Sequence, residues 1–341
     1  SQGGGNLATV YLGHTYDTKD ICDFLRIVQH SVLEWNVVIS KFIDCICFGN
    51  MRSALQMFTT FLTSGATDVE KMLFILRKDG KYHVAFHEFL KSVMLQERAY
   101  YKEDQSPILN LYNCTSERNA SHFTAMRAIT YLLRYRGESS PQGQGYIELS
   151  KFVGLFNDIF DNIQDLSKTL DRLIYRQLVE VNTRSTVTVS GASHIRVTSA
   201  GWYYIRYLAN KFAYLDLILQ DTPLNDQSVE HSLRQSVYQV NNLSDREQDK
   251  IARMKVRFER TKQFLEYLLK EEQTEISHFD IKRLPAPLNT EFIPRIMEKF
   301  LEQRNYIENK LKNGQLDDAA DPEDKQLEKQ ILEFEYQNKQ N

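Results

Sequence analysis

The chain has 341 residues, with 42 Lys and Arg against 45 Asp and Glu, which gives a formal net charge of −3. So small a charge excludes a protein that binds polyanions through bulk positive charge, and the length allows two or three domains. No apolar run approaches the roughly 18 residues that a membrane-spanning helix needs, and we expect no signal peptide. Four cysteines without the spacing of a disulfide framework indicate reduced thiols. We therefore expect a cytoplasmic protein that does not contact a membrane.

Residues 18–110 are predicted to form a bundle of five helices. The fourth helix shows the clearest boundaries, because Thr67–Glu70 has the pattern of a capping box and Gly80 is placed to end the helix. One strand candidate, residues 8–12, precedes the bundle. Since a single strand cannot stabilise itself, we interpret residues 1–17 as a linker and the last strand of a sheet whose other strands lie outside this sequence.

Residues 111–225 are predicted to form a winged helix-turn-helix domain, because helix and strand patterns alternate there in a characteristic order. A helix with apolar residues at 3-and-4 spacing runs through Leu166, Leu170 and Leu173, and two short alternating segments with a polar tip follow it. In chain order the predicted elements are a helix at 123–135, a strand at 145–149, two helices separated by Asp161, and strands at 178–182 and 194–198.

Residues 226–341 are predicted to be a helical tail. Ser244–Glu247 is a second capping-box pattern, and the helix that it begins pairs in a hairpin with a helix that begins at Thr290. Apolar stripes on both helices exceed what the hairpin alone can bury, so another surface should cover them. A last helix is expected after Asp321. The predicted fold class is therefore mainly α.

The segment Gly49-Asn-Met-Arg-Ser-Ala-Leu55 resembles the second-sensor motif in the lid of AAA+ ATPases, especially origin-recognition-like ones. A winged helix follows the lid in that family, and the region around 212–223 resembles the C-terminal part of poorly characterised bacterial NTPases of the AAA+/STAND type. The resemblance covers residues 6 to about 225. It implies that the bundle is a lid, that residues 1–17 end an ATPase core, and that Arg52 senses the γ-phosphate of ATP.

The sequence lacks the residues that would bind ATP within this chain. No Gly-x-x-x-x-Gly-Lys-[Ser/Thr] motif occurs, and Gly80-Lys81 is followed by Tyr82. We therefore expect no catalytic activity and no cofactor in this chain, with ATP and Mg²⁺ implied only for a parent ATPase. His83 and His87 have helical i, i+4 spacing but no evident third ligand, so no metal site is expected.

Basic residues on the second helix of the winged-helix pattern are the candidate contacts to double-stranded DNA or to a protein partner. Five basic residues stand against four acidic ones over residues 161–200, and we place Asp165 on the same exposed face, where it would repel phosphate. This near-equal number of basic and acidic residues is compatible with either DNA or a protein as the partner. The candidates are Lys168, Arg172 and Arg176 on the helix, Arg184 at the wing tip and Arg196 on the return strand.

These observations predict the regulatory and binding region of an AAA+/STAND-like ATPase. The lid and the tail would contact the ATPase core or a second subunit, and the winged helix would contact DNA or protein. Two alternatives are a stand-alone winged-helix DNA-binding protein and a non-catalytic structural adaptor within a multiprotein complex.

Overall fold

A computed structural model describes residues 9–11, 14–31, 37–64, 68–183, 188–243 and 247–312. The chain is mainly helical, as predicted, and its strands are short. It divides into two compact units. The first contains the described residues of 1–44 and 50–99, and the second those of 45–49 and 100–314. The predicted last helix, after Asp321, lies outside the described residues.

The first unit consists of a hairpin and helices around an aromatic core. Strands β1 (Thr9–Tyr11) and β2 (His14–Tyr16) pair antiparallel. Phe42, Phe61 and Phe89 are fully buried, and the Phe89 ring lies 6.0 Å from Phe42 and 5.2 Å from Phe61. The helices are α1 (Thr18–Gln29), α2 (Val37–Cys47, whose last three residues fall in the second unit), α3 (Met51–Thr63), α4 (Val69–Asp79) and α5 (Phe86–Leu95).

Two expectations for this unit need correction. The strand predicted at 8–12 is not alone, because β1 pairs with β2; the three residues of β2 are too few to show a strand pattern in the sequence. Helix α4 is capped by Asp68, whose side chain accepts from the Lys71 amide at 2.9 Å, one residue later than the predicted box. Gly80 ends α4 in the left-handed conformation, as expected.

The main part of the second unit begins with a segment that lacks regular secondary structure, within which residues 108–112 are buried, and continues with helices around a three-stranded antiparallel sheet. The strand order is β3-β5-β4, so the last strand in the sequence lies in the middle, and Ile195 faces both Ile147 and Val181. The elements are α6 (Thr124–Arg134), β3 (Ile147–Glu148), α7 (Leu149–Phe160), α8 (Ile163–Tyr175), β4 (Val179–Val181), β5 (His194–Val197) and α9 (Ser199–Arg206).

Gly201 allows α9 to pack directly against the chain that enters β4. A Cβ at this position would overlap the carbonyl oxygen of Leu178. Thr198 also holds this junction, because its backbone N–H donates to the Leu178 carbonyl and its hydroxyl donates to the Gln177 carbonyl. Only glycine fits so close an approach.

The described part of the predicted tail belongs to this same unit. Helix α10 (Phe212–Ile218) precedes the tail, and the helices of the tail are α11 (Gln227–Asn242), α12 (Glu247–His278) and α13 (Ile293–Lys312). Phe212 on α10 lies 4.8 Å from the ring of Phe258 and 6.0 Å from that of Phe300, and Phe264 lies 6.0 Å from Tyr112. The apolar stripe of the α12–α13 hairpin is therefore covered by other parts of this unit.

Candidate functional site

Helix α8 and the residue that caps its C-terminus, Arg176, carry three of the five candidate DNA or partner contacts. The apolar face of α8 is fully buried, with Leu166, Leu170 and Leu173 inaccessible to solvent. Asp161 adopts the left-handed conformation that ends α7 and lets α8 start in a new direction. The remaining face carries Lys168, Arg172 and Arg176. Each of these side chains contacts a carboxylate or carbonyl oxygen of residues 103–117.

Arg172 is held by a two-point ion pair with Glu103. Its Nε lies 3.0 Å from Oε1 of Glu103, and its Nη2 lies 2.8 Å from Oε1 and 3.0 Å from Oε2. The same guanidinium donates to the carbonyl oxygens of Asn113 at 3.1 Å and Asn110 at 3.2 Å. Such a fork satisfies most of the donors of the guanidinium. Arg172 is therefore engaged within the unit and is not free to contact a groove.

The other two basic residues of α8 contact the same segment. Lys168 forms an ion pair with Glu117, although more than half of the Lys168 side chain stays exposed. Arg176 donates from Nη2 to the Glu103 carbonyl oxygen at 2.6 Å, and its guanidinium lies 5.2 Å from the ring centre of Tyr175. The segment that contains Glu103 thus binds two successive turns of α8.

Asp165 is not on the exposed face of α8, contrary to our expectation. The residue is 1% exposed, and its carboxylate accepts from the hydroxyls of Thr115 at 2.7 Å and Thr124 at 2.6 Å. It lies in the first turn of the helix, where a negative charge is favourable. The hydroxyls and the helix end stabilise a buried carboxylate that the sequence pattern assigned to solvent.

The two strands that follow α8 engage Arg196 in a cross-strand contact. Arg196 and Glu180 are direct register partners on β5 and β4 and form an ion pair. The Arg196 guanidinium also donates to the Gln144 carbonyl at 2.9 Å and lies 4.5 Å from the ring centre of Tyr146. Arg184 lies outside the described residues.

Tyrosine hydroxyls fix the segment that covers α8. Residues 108–112 are buried, and the backbone amides of Leu109 and Leu111 donate to the hydroxyls of Tyr204 at 2.8 Å and Tyr214 at 2.9 Å. Burial raises the pKa of both phenols well above the ordinary value, so they remain neutral. Since backbone amides inside a core need such partners, these tyrosines hold the segment in place.

Helix α12 is joined to the rest of the unit by buried charges. Asp216 on α10 accepts from Nε of Arg257 at 2.7 Å and from Nε of Arg260 at 2.6 Å, and both Asp216 and Arg260 are buried. Burial opposes the ionisation of Asp216, but the two arginines outweigh it and hold its pKa below the ordinary value. Glu275 on α12 pairs with the buried Arg127 of α6 at 2.6 Å.

Arg52 of the first unit lies in the first turn of α3. The side-chain oxygen of Asn50 accepts from the amides of Arg52 at 3.1 Å and Ser53 at 3.2 Å, so Asn50 caps the helix. Arg52 is exposed, and no carboxylate among the described residues lies within ion-pair distance of it. Met51 and Leu55 beside it are exposed as well.

Sequence reasoning missed Glu103 and Glu117. Both lie far along the chain from the residues that they bind, in segments that show no helix or strand pattern.

Comparison with protein-family models, curated proteins and solved structures finds no match. Among the helices that the structure describes, none combines the length and apolar character of a bilayer-spanning segment.

Proposed function

We propose that the second unit is a winged helix that binds a protein partner and has no catalytic activity. The order helix, strand, helix, helix, strand, strand supports the fold, as does a sheet whose last strand lies in the middle. Under this proposal the chain is an adaptor or regulatory region, and chemistry is performed by whatever it binds.

The observation that carries the proposal is the two-point pairing of Arg172 with Glu103. A helix that enters the major groove needs free basic side chains for bases and phosphates. On α8, Arg172 and Lys168 are each neutralised by a carboxylate, and the chain 103–117 lies against the helix. Duplex DNA would have to replace these ion pairs and would meet the negative charge of the displaced glutamates. A protein partner faces no such barrier.

Tyr175, at the end of α8, is the residue through which we expect the partner to bind. Its side chain is 66% exposed beside Arg176, and tyrosine and arginine are enriched at the energetically important centres of protein interfaces. The test replaces Tyr175 with a photo-crosslinking phenylalanine analogue in the full chain in its native cell, with exposed Gln273 on α12 as the control position. A discrete protein adduct from position 175 alone supports the proposal, and a nucleic-acid adduct contradicts it.

A second function is favoured by the position of Arg52. An exposed arginine in the first turn of a helix adds positive charge at the positive helix end, which is favourable only when an anion binds there. We propose that the first unit acts as the lid of a P-loop ATPase and that Arg52 contacts the γ-phosphate. In the complete ATPase, Arg52→Ala should lower ATP hydrolysis by about tenfold or more, whereas the control Lys78→Ala, an exposed change on α4, should leave it unchanged. Equal turnover for Arg52→Ala and the unaltered protein would exclude this role.

A further inference from the structure

The second unit contains a cleft that no part of the proposed function uses. It has a volume of about 620 Å³ and lies along α6, beside the end of α9, the first turn of α13 and the chain 286–292. This size is within the range of about 300–1,000 Å³ that is typical of small-molecule sites. Its walls include the apolar side chains of Met126, Leu133, Ile205, Pro287 and Ile296.

Three arginines line this cleft, one from each of the three helices: Arg134, Arg206 and Arg295. Glu291 is the one acidic residue of the lining, and it pairs with Lys282 at 3.5 Å. The cleft is therefore strongly positive, although the chain as a whole has a net charge of −3.

The charges of these arginines are not neutralised by the described residues. Arg134 donates to the Ala286 carbonyl at 2.9 Å, which satisfies a donor but leaves the positive charge. Arg206 and Arg295 are exposed, and no carboxylate in the described part of the chain lies within ion-pair distance of either. This arrangement is the opposite of the one on α8, where Lys168 and Arg172 each have a glutamate.

Arg295 adds a second observation, because its position is electrostatically unfavourable without an anion. It lies in the first turn of α13, where the helix dipole repels a cation. The carboxylate of Glu272 is already used by the amides of Phe292 at 2.7 Å and Ile293 at 3.0 Å. A bound anion in the cleft would offset the repulsion that Arg295 experiences.

We propose that this cleft binds the phosphate group of a small organic phosphate of about mononucleotide size. Guanidinium groups bind phosphate oxygens through paired, charge-assisted hydrogen bonds, and three of them line this cleft. The apolar walls would receive the organic part of the ligand. The size of the cleft fits a single small molecule, whereas the phosphates of a nucleic-acid backbone would extend beyond it.

The test is calorimetric titration of the full chain with inorganic pyrophosphate and with adenosine monophosphate. The double variant Arg206→Gln/Arg295→Gln should weaken the binding of these probes by about tenfold or more, and the control Arg118→Gln, an exposed arginine outside the cleft, should leave it unchanged. Both substituted arginines are exposed, so the double variant without ligand should remain folded, with a melting temperature close to that of the unaltered protein or above it.

A short single-stranded oligonucleotide distinguishes a free phosphate ligand from a nucleic-acid backbone. The proposal is supported if either small probe binds the unaltered chain and binds the double variant more weakly. An identical Kd for the double variant and the unaltered chain overturns it, as does the absence of binding by both small probes at millimolar concentration. Binding of the oligonucleotide alone also overturns it.

Discussion

The buried contact between Asp216 and α12 allows a quantitative prediction. Asp216→Ala removes the carboxylate that accepts from Arg257 and Arg260, and Arg260 is only 4% exposed. Removing one partner from a buried pair leaves an uncompensated charge and costs about 3–5 kcal/mol. The free energy of unfolding of a native protein is about 5–15 kcal/mol. The second unit should therefore lose a large part of its stability.

Urea unfolding followed by tryptophan fluorescence measures this loss. The chain has two tryptophans, and Trp35→Phe makes Trp202, buried in the second unit, the only reporter. Glu230→Ala, which removes an exposed i,i+4 pair with Arg234 on α11, is the matched control and should cost about 0.5 kcal/mol or less. A loss below about 1 kcal/mol for Asp216→Ala would refute the assignment of α12 as an anchored part of this unit.

The pH dependence of the same variant follows from the lowered pKa of Asp216. A carboxylate with a depressed folded-state pKa stabilises the fold above its ordinary pKa of about 3.9, and this contribution disappears as the pH falls through the folded-state value. The stability difference between the unaltered protein and Asp216→Ala should therefore be constant from about pH 5 to 7 and shrink below about pH 4. A difference that grows in acid would contradict the ion pair.

Three further predictions concern the same unit. Gly201→Ala should lower the free energy of unfolding of this unit by about 2 kcal/mol or more, because the new Cβ overlaps the Leu178 carbonyl oxygen. The same urea unfolding measures this loss, and an unchanged midpoint would contradict the close packing at Gly201. Burial raises the pKa of Glu272 despite its bonds to two amides, so the folded state holds the proton more tightly than the unfolded state does. The stability advantage of the unaltered protein over Glu272→Gln should therefore shrink as the pH rises from about 4 to 7. An advantage that grows over this range would contradict the raised pKa. Glu103→Ala should cost about 2 kcal/mol or more by leaving Arg172 without its carboxylate, whereas a neutral change would show that the pair does not hold the segment against α8.

Local patterns predicted helices α1 to α8, α12 and α13, because their signals lie within a few residues, but they did not predict α9, α10 or α11. Asp161 between α7 and α8 and Gly80 at the end of α4 are conformational signals that act on adjacent residues. The sequence also predicted that another surface would cover the apolar stripe of the α12–α13 hairpin, because a large exposed apolar patch is unfavourable in water. Phe258 and Phe300 of this stripe are buried.

Contacts between distant segments could not be predicted in this way. Helical periodicity placed Arg172 on the polar face of α8, but nothing local indicates that Glu103, 69 residues earlier, binds it. Asp165 was assigned to solvent because a carboxylate on a polar face usually lies there; its burial depends on Thr115 and Thr124, which come from other segments. The polar face of a helix therefore predicts exposure only when no other part of the chain packs on it.

Duplex-DNA binding at low salt tests the central claim that the basic face of α8 is closed to DNA. A fluorescence-anisotropy titration compares the unaltered chain with Lys168→Ala/Arg184→Ala, which removes the exposed lysine of α8 and the arginine of the predicted wing tip. The account predicts no difference between the two proteins and no salt-dependent binding through this face. Binding whose log–log salt slope falls by about 0.9 for each cation removed would contradict it and assign the unit to DNA.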